Sequence, residues 1–402
     1  MDKFFNKAFE NVKGGLFSEV EKADVGNSYQ ELGKKGVSLM GWADPFFPDK
    51  CIPKHILNSV LNSINGDMAT HYTAPVGNDE LKLEISKKLK RFNNLEVDNN
   101  RNILVTPGSD SGLFYSMMPF IEEGDEVIIP TPCYPNNILN VKLLNGIPNY
   151  LELKEDQGYQ LNVGDLEACL TERTKMLIIT HPNNPTTTLF NKKSLELISK
   201  FVIEYDLILV CDQAFEDFTY ENELITPASL PGMFERTISV FSTSKGMGLS
   251  GFRVGYIVAS DTIMDKLYGA AVSVLGATNT VAQLAAIEAF KDSSYLEKFE
   301  KSFNYRRKMA YEIINEIPNV SMLMPESGFL GWINVSKLGK SSQIQKYLIE
   351  EAKVFLNDGA NYGVGGEGYL RIVLGTYKED KKVVEVLYRI KDALMKYNNQ
   401  IQ

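Results

Sequence analysis

Two short apolar runs, KMLIIT (175–180) and LILVCD (207–212), flank a stretch whose apolar residues recur at helical spacing, NKKSLELISKFVIEYD (191–206). Runs this short with no alternating polar face read as strands buried on both sides. Strand, helix and strand in succession make a βαβ unit, which requires a parallel sheet with helices packed on it. NILVT (102–106), EVIIP (126–130), TISVFSTS (237–244) and GFRVGYIVAS (251–260) extend the pattern, and Gly108-Ser109-Asp110 opens a helix reaching toward Ile121. An α/β fold is therefore expected: a large domain over 46–290 with a mostly parallel sheet covered by helices. After about residue 290 the pattern changes. A long charged helix (roughly 291–316), VSMLMP, GFLGWINV, a helix near 341–352, YLRIVLGT and a terminal helix suggest a smaller α+β domain over 291–402, with residues 1–45 packing against it.

Bulk properties narrow the function classes. With 44% hydrophobic and 23% charged residues in 402, the chain supports an ordinary core without staples. A net charge of −9 argues against non-specific nucleic-acid binding, which needs a basic face. Cys51, Cys133, Cys169 and Cys211 form no CxxC pair, and the three histidines are scattered, so no metal site or disulfide framework is expected. The opening MDKFFNKAFENVKGGLFSEV breaks its apolar residues with charges, unlike a signal peptide, and no stretch is apolar enough to span a bilayer. A cytoplasmic protein is expected.

Ligands of open parallel sheets gather at the carboxyl ends of the strands. This chain puts polar residues there: Thr106 to Ser111, Asn183 and Asn184, Asp212, and Ser242 to Lys245. Hydroxyls at Ser242 and Ser244 with a guanidinium at Arg253 suit a dianion. A lysine is ordinarily a surface residue, but Lys245 beside such cationic groups could become a nucleophile toward carbonyls. Gly246-x-Gly248-x-x-Gly251 and Gly363-x-Gly365-x-x-Gly368 formally match a dinucleotide fingerprint, yet strand-like runs follow both where the fingerprint must open a helix.

STSKGMGLSGFRVG (242–255) resembles the lysine-site signature of the class I and II aminotransferases, the aspartate aminotransferase type of fold type I enzymes. HPNNPT (181–186), DQAF (212–215), PCYP (132–135) and YLRI (369–372) resemble further motifs of that family, in the same order. The resemblance implies pyridoxal 5′-phosphate (PLP) held as a Schiff base on Lys245. It implies phosphate contacts from Gly108, Ser109, Asp110, Ser242, Ser244 and Arg253, with Asp212 at the pyridine nitrogen, Asn184 at the 3′-oxygen and Tyr134 stacked on the ring. It further implies Arg371 on the substrate α-carboxylate, Ala43 and Asn184 near the substrate, and Tyr72 reaching the phosphate of a neighbouring subunit in a homodimer.

Two positions depart from the family pattern. Phe215 stands where a tyrosine usually donates to the 3′-oxygen, and Thr187 replaces a glycine after HPNNPT. Amino transfer between an L-amino acid and a 2-oxo acid, a step of amino acid metabolism, is the expected reaction. A PLP-dependent carbon–sulfur β-lyase is the alternative, since NYGVGGEGYLRI has a look found in some of them. A non-catalytic sensor on the same scaffold is a third reading, disfavoured by the intact Lys245.

Overall fold

A computed structural model describes residues 27–401; what the sequence suggests for residues 1–26 lies outside the described residues. The strands are β1 (Ser38–Leu39), β2 (Ile103–Thr106), β3 (Glu126–Thr131), β4 (Ile147–Glu152), β5 (Thr174–Thr180), β6 (Ile208–Asp212), β7 (Thr237–Ser242) and β8 (Gly255–Val258). They are followed by β9 (Ser321–Met322), β10 (Leu330–Asn334), β11 (Val354–Phe355), β12 (Asn357–Asp358) and β13 (Tyr369–Val373).

Seven strands form the large sheet in the order β2-β8-β7-β6-β5-β3-β4. Its apolar runs face both ways because successive side chains alternate across a sheet. Ile178 and Val210 join the core on one face with Leu113 and Ile129, while Leu177, Ile179, Leu209 and Cys211 join the other. β7, β6, β5, β3 and β4 pair in parallel. β8 runs antiparallel to both its neighbours. Only one 3-10 turn, Ser250–Phe252, lies between β7 and β8, so no helix carries the chain back across the sheet and the strand reverses. This reversal sets Ser242 opposite Gly255 and brings the two ends of STSKGMGLSGFRVG together.

Three local outcomes differ from the sequence reading. The segment 251–260 holds a strand only from Gly255, because Arg253 takes a left-handed conformation (φ 54°). The edge strand β4 has no counterpart in the reading: it carries Pro148 and most of its residues are only half-buried or exposed, which suits an edge and hides the pattern. The long helix spans Leu296–Asn315 and is separated by a capped turn at Asp292 from a helix over Thr280–Lys291.

β12, β13, β10 and β9 form a second, antiparallel sheet, with Trp332 opposite Arg371. The helices Leu296–Asn315 and Asp380–Ile401 pack on one another, and their apolar faces share a core with Ile333, Ile372 and Met40. β1 pairs in parallel with β11. Arg306 is buried in this region and donates to the carbonyls of Leu374, Thr376 and Tyr377 and to Asp380. Among the described residues no helix is long and apolar enough to cross a membrane, and no His, Cys, Asp and Glu cluster could hold a metal.

Candidate active site

The carboxyl ends of the parallel strands open onto one cavity of about 430 Å³. Lys245, just beyond β7, points its Nζ at Ala43, whose carbonyl accepts a hydrogen bond at 2.6 Å. The Phe215 ring lies 5.7 Å from the same Nζ. Asp212, the last residue of β6, is 3% exposed. Burial pushes its carboxyl up to about 7; the charge of Asp110 adds to this, and the Ala214 N–H at 3.1 Å and Lys245 oppose it. Asp212 also ties the strand ends together, its carbonyl accepting from the His181 N–H at 2.8 Å.

His181 opens the turn that carries Asn184. It is buried and held neutral, with burial pushing its imidazole down to about 4. Its Nδ1 accepts from the Phe190 N–H, so the proton sits on Nε2 and is donated to the Ile225 carbonyl. Thr187 keeps a left-handed backbone (φ 66°), the conformation glycine adopts freely. A β-branched residue pays about 1–2 kcal/mol there, so the turn is preserved under strain rather than rebuilt.

Arg371 enters from β13 of the smaller sheet and is fully buried. It donates to Asn184 Oδ1 at 3.0 Å, and to the Gly41 carbonyl and Asn357 Oδ1 at 2.8 Å each. A guanidinium can only donate, so the Asn184 oxygen must face it and the amide nitrogen must face the other way.

The opposite end of the cavity is cationic. Arg253 donates to the Ser250 carbonyl at 2.9 Å and lies 3.4 Å from Ser244 Oγ. Gly108 (φ 82°) is the N-cap of the helix Ser109–Met117, whose first N–H groups point out of the helix end. A Cβ on Gly108 would overlap the Arg253 guanidinium. One on Gly255 would fall 2.6 Å from the main chain of Gly108 and Ser109, so both glycines permit this close approach. Asp110 sits 4.0 Å from Arg253, with its carboxylate engaged by the Tyr134 hydroxyl at 2.7 Å and Asn136 at 2.8 Å.

Most of the residues singled out in the sequence thus line one cavity: Ala43, Ser109, Asp110, Tyr134, Asn184 and Asp212, then Ser244, Lys245, Arg253 and Arg371. Gly108 backs onto it through Arg253. Ser242 stands one layer away, its hydroxyl accepting from the Ser244 N–H at 3.1 Å, so it shapes the turn. Tyr72 is 97% exposed and lies outside the cavity of its own chain. The sequence reading missed Asp44 and Ser250, which line the cavity and bond to one another. The resemblance gives neither a role, although Ser250 lies within the 242–255 signature and Asp44 adjoins Ala43.

The sequence profile described as aminotransferase class I and II matches residues 45–387. An aspartate aminotransferase of Pyrococcus abyssi is 34% identical over 90% of this chain and 92% of its own. An aromatic-amino-acid aminotransferase of Thermococcus litoralis is 30% identical over the same shares. The crystal structure of an aromatic aminotransferase from Pyrococcus horikoshii superposes with a TM-score of 0.85 at 30% identity, covering 92% of this chain and 99% of that one. The cavity architecture and these likenesses have one reading: the chain belongs to the class I and II aminotransferases.

Proposed function

We propose that this protein is a PLP-dependent aminotransferase that moves an amino group between an L-amino acid and a 2-oxo acid. The observation that carries the reading is the convergence of Lys245, buried Asp212, Asn184 and Arg253 in one cavity with Arg371. The donor set fits the cofactor. Arg253, Ser244 and the helix N-terminus at Ser109 suit a phosphate. Asp212, whose carboxyl is raised chiefly by burial, suits a protonated ring nitrogen. Tyr134 supplies an aromatic face and Asn184 a donor to a ring oxygen. When bound, PLP supplies an electron sink for the carbanion left at the amino acid's Cα.

The chain's own residues would do the rest. Arg371 clamps the α-carboxylate with paired N–H donors that a lysine cannot copy. Lys245 Nζ is the base placed to take the Cα proton, with the Ala43 carbonyl orienting it. The buried charge of Asp212 keeps a proton on the ring nitrogen. Tyr72 suits a role at the phosphate of a second copy. Leu57, Leu61, Ile64 and Met68 are exposed on the neighbouring helix and turn, an apolar face in keeping with a homodimer. Four free cysteines are in keeping with a cytoplasmic location.

The test is to load the purified protein with PLP, record its visible spectrum, and add single L-amino acids without an oxo acid. Lasting loss of the visible band, with the oxo acid released, is expected. A band that persists while pyruvate and ammonia accumulate from cysteine-like substrates would make the protein a β-lyase. No band at all would remove the cofactor reading.

A further inference from the structure

The turn after β6 does more than present Asp212 and Phe215 to the cavity. Two residues further on, Asp217 turns its carboxylate against the main chain of Gly246, the residue that follows Lys245. A Cβ on Gly246 would fall inside the van der Waals envelope of Asp217 Cβ, Cγ and Oδ2. Gly246 is not in the left-handed region, so the collision alone, not backbone strain, demands glycine there. The Asp217 Oδ2 is shielded from solvent and has no hydrogen-bond partner among the described residues. Leaving a carboxylate oxygen in that condition is costly, so the contact with Gly246 is held against an energetic penalty.

We propose that Asp217 is a positioning residue for Lys245: its carboxylate fills the space a side chain at 246 would occupy and locks the turn that carries the lysine. The proposal rests on the PLP-dependent reading above. The groups facing Asp217 are Glu216 on its own turn, Lys88 from the helix Asp79–Phe92, Tyr256 from β8, Tyr295, and the Gly246 N–H. Lys88 is already paired with Glu216. Burial and Glu216 raise the Asp217 carboxyl, while Lys88 and the Gly246 N–H favour its charged form. The carboxylate therefore acts chiefly through its shape, packed against Gly246. Interiors packed at crystal density transmit such contacts, and a misplacement of about 1 Å at a reacting group costs on the order of 100-fold in rate.

The experiment uses the full chain loaded with PLP and four variants: Gly246→Ala, Asp217→Gly, Asp217→Asn, and Gly246→Ala with Asp217→Gly. Three quantities are read for each: kcat and KM for the amino acid, the pH midpoint of the visible band, and thermal unfolding. Gly246→Ala and Asp217→Gly are each expected to lower kcat by on the order of 10- to 100-fold with little change in KM, and to move the pH midpoint. Asp217→Asn keeps the shape and stays near the parent. The double variant recovers most of the Gly246→Ala loss, because the new methyl occupies the vacated space. If Gly246→Ala matches the parent, if the double variant is no better than Gly246→Ala alone, or if unfolding temperatures fall while the pH midpoint stays fixed, the positioning role is overturned. A parent chain that shows no visible band with PLP removes the underlying reading instead, and the two failures are told apart by that first spectrum.

Discussion

Asp212→Asn in protein freed of cofactor is the sharpest check on the electrostatics of the cavity. The Asp212 carboxyl rises from an ordinary 3.8 to about 7, chiefly through burial. Between those values the folded chain holds a proton that the unfolded chain has released. Stability from this group is therefore undiminished below pH 3.8, falls as pH rises, and reaches its full penalty above pH 7. At 1.36 kcal/mol per pH unit, the whole displacement corresponds to about 4 kcal/mol. Asparagine keeps the shape and can still accept from the Ala214 N–H, but carries no charge to bury. Urea unfolding midpoints of both proteins at pH 5, 6, 7 and 8, without PLP, supply the measurement. The variant should gain on the parent by about 1.4 kcal/mol per pH unit and level off above pH 7. With PLP added, the proposed function expects the order to reverse, since in that reading Asp212 offers a charge to the ring nitrogen. Parallel pH curves for the two proteins would refute the claim that burial of this charge is costly.

Phe215→Tyr adds a phenolic donor beside Lys245; a hydrogen bond to a charged group is worth about 1.5–3 kcal/mol, so the pH midpoint of the visible band of the PLP-loaded protein should fall by about one to two units, which a spectrophotometric titration reads directly. Arg371→Lys keeps the charge but loses the fork that holds Asn184, Gly41 and Asn357; kcat/KM for the amino acid should fall at least ~100-fold, with stopped-flow half-reactions showing weakened saturation. Arg306→Met leaves several buried carbonyls and Asp380 without their donor, and should lower denaturant-measured stability by about 3–5 kcal/mol.

Much of this was legible in the residues because the relevant signals are local. β5 and β6 announce themselves as apolar runs, and the crossover rule then places Asn184, Asp212 and Lys245 at one edge without further information. The reversal of β8 carries no comparable signal. Its cause is what the 243–254 link lacks, and that becomes decisive only once β7 and β8 are known to be neighbours. Ser242 looked like a cavity residue because hydroxyls near a lysine suit an anion, but the main chain claims its oxygen first. Asp217 was invisible for a deeper reason. Its role depends on meeting Gly246, 29 positions away, and neither residue is unusual until the contact is seen. Thr187 shows the converse: the sequence flagged a missing glycine, and the backbone keeps the glycine-like conformation anyway.

The hydrogen bond from Arg371 to Asn184 joins a strand of the smaller sheet to the turn that follows β5 of the larger one, across the cavity that both residues line. Whatever anion draws the guanidinium toward itself also changes the partner to which the Asn184 oxygen is tied, and so the strength with which the amide nitrogen donates on its other side. The two occupants of the cavity are then thermodynamically linked. On the proposed PLP reading, an unreactive carboxylate that binds Arg371 is expected to alter the affinity and colour of PLP, and PLP to alter the affinity for that carboxylate by the same factor. One amide side chain thereby makes the cavity report on its own saturation before any bond is broken.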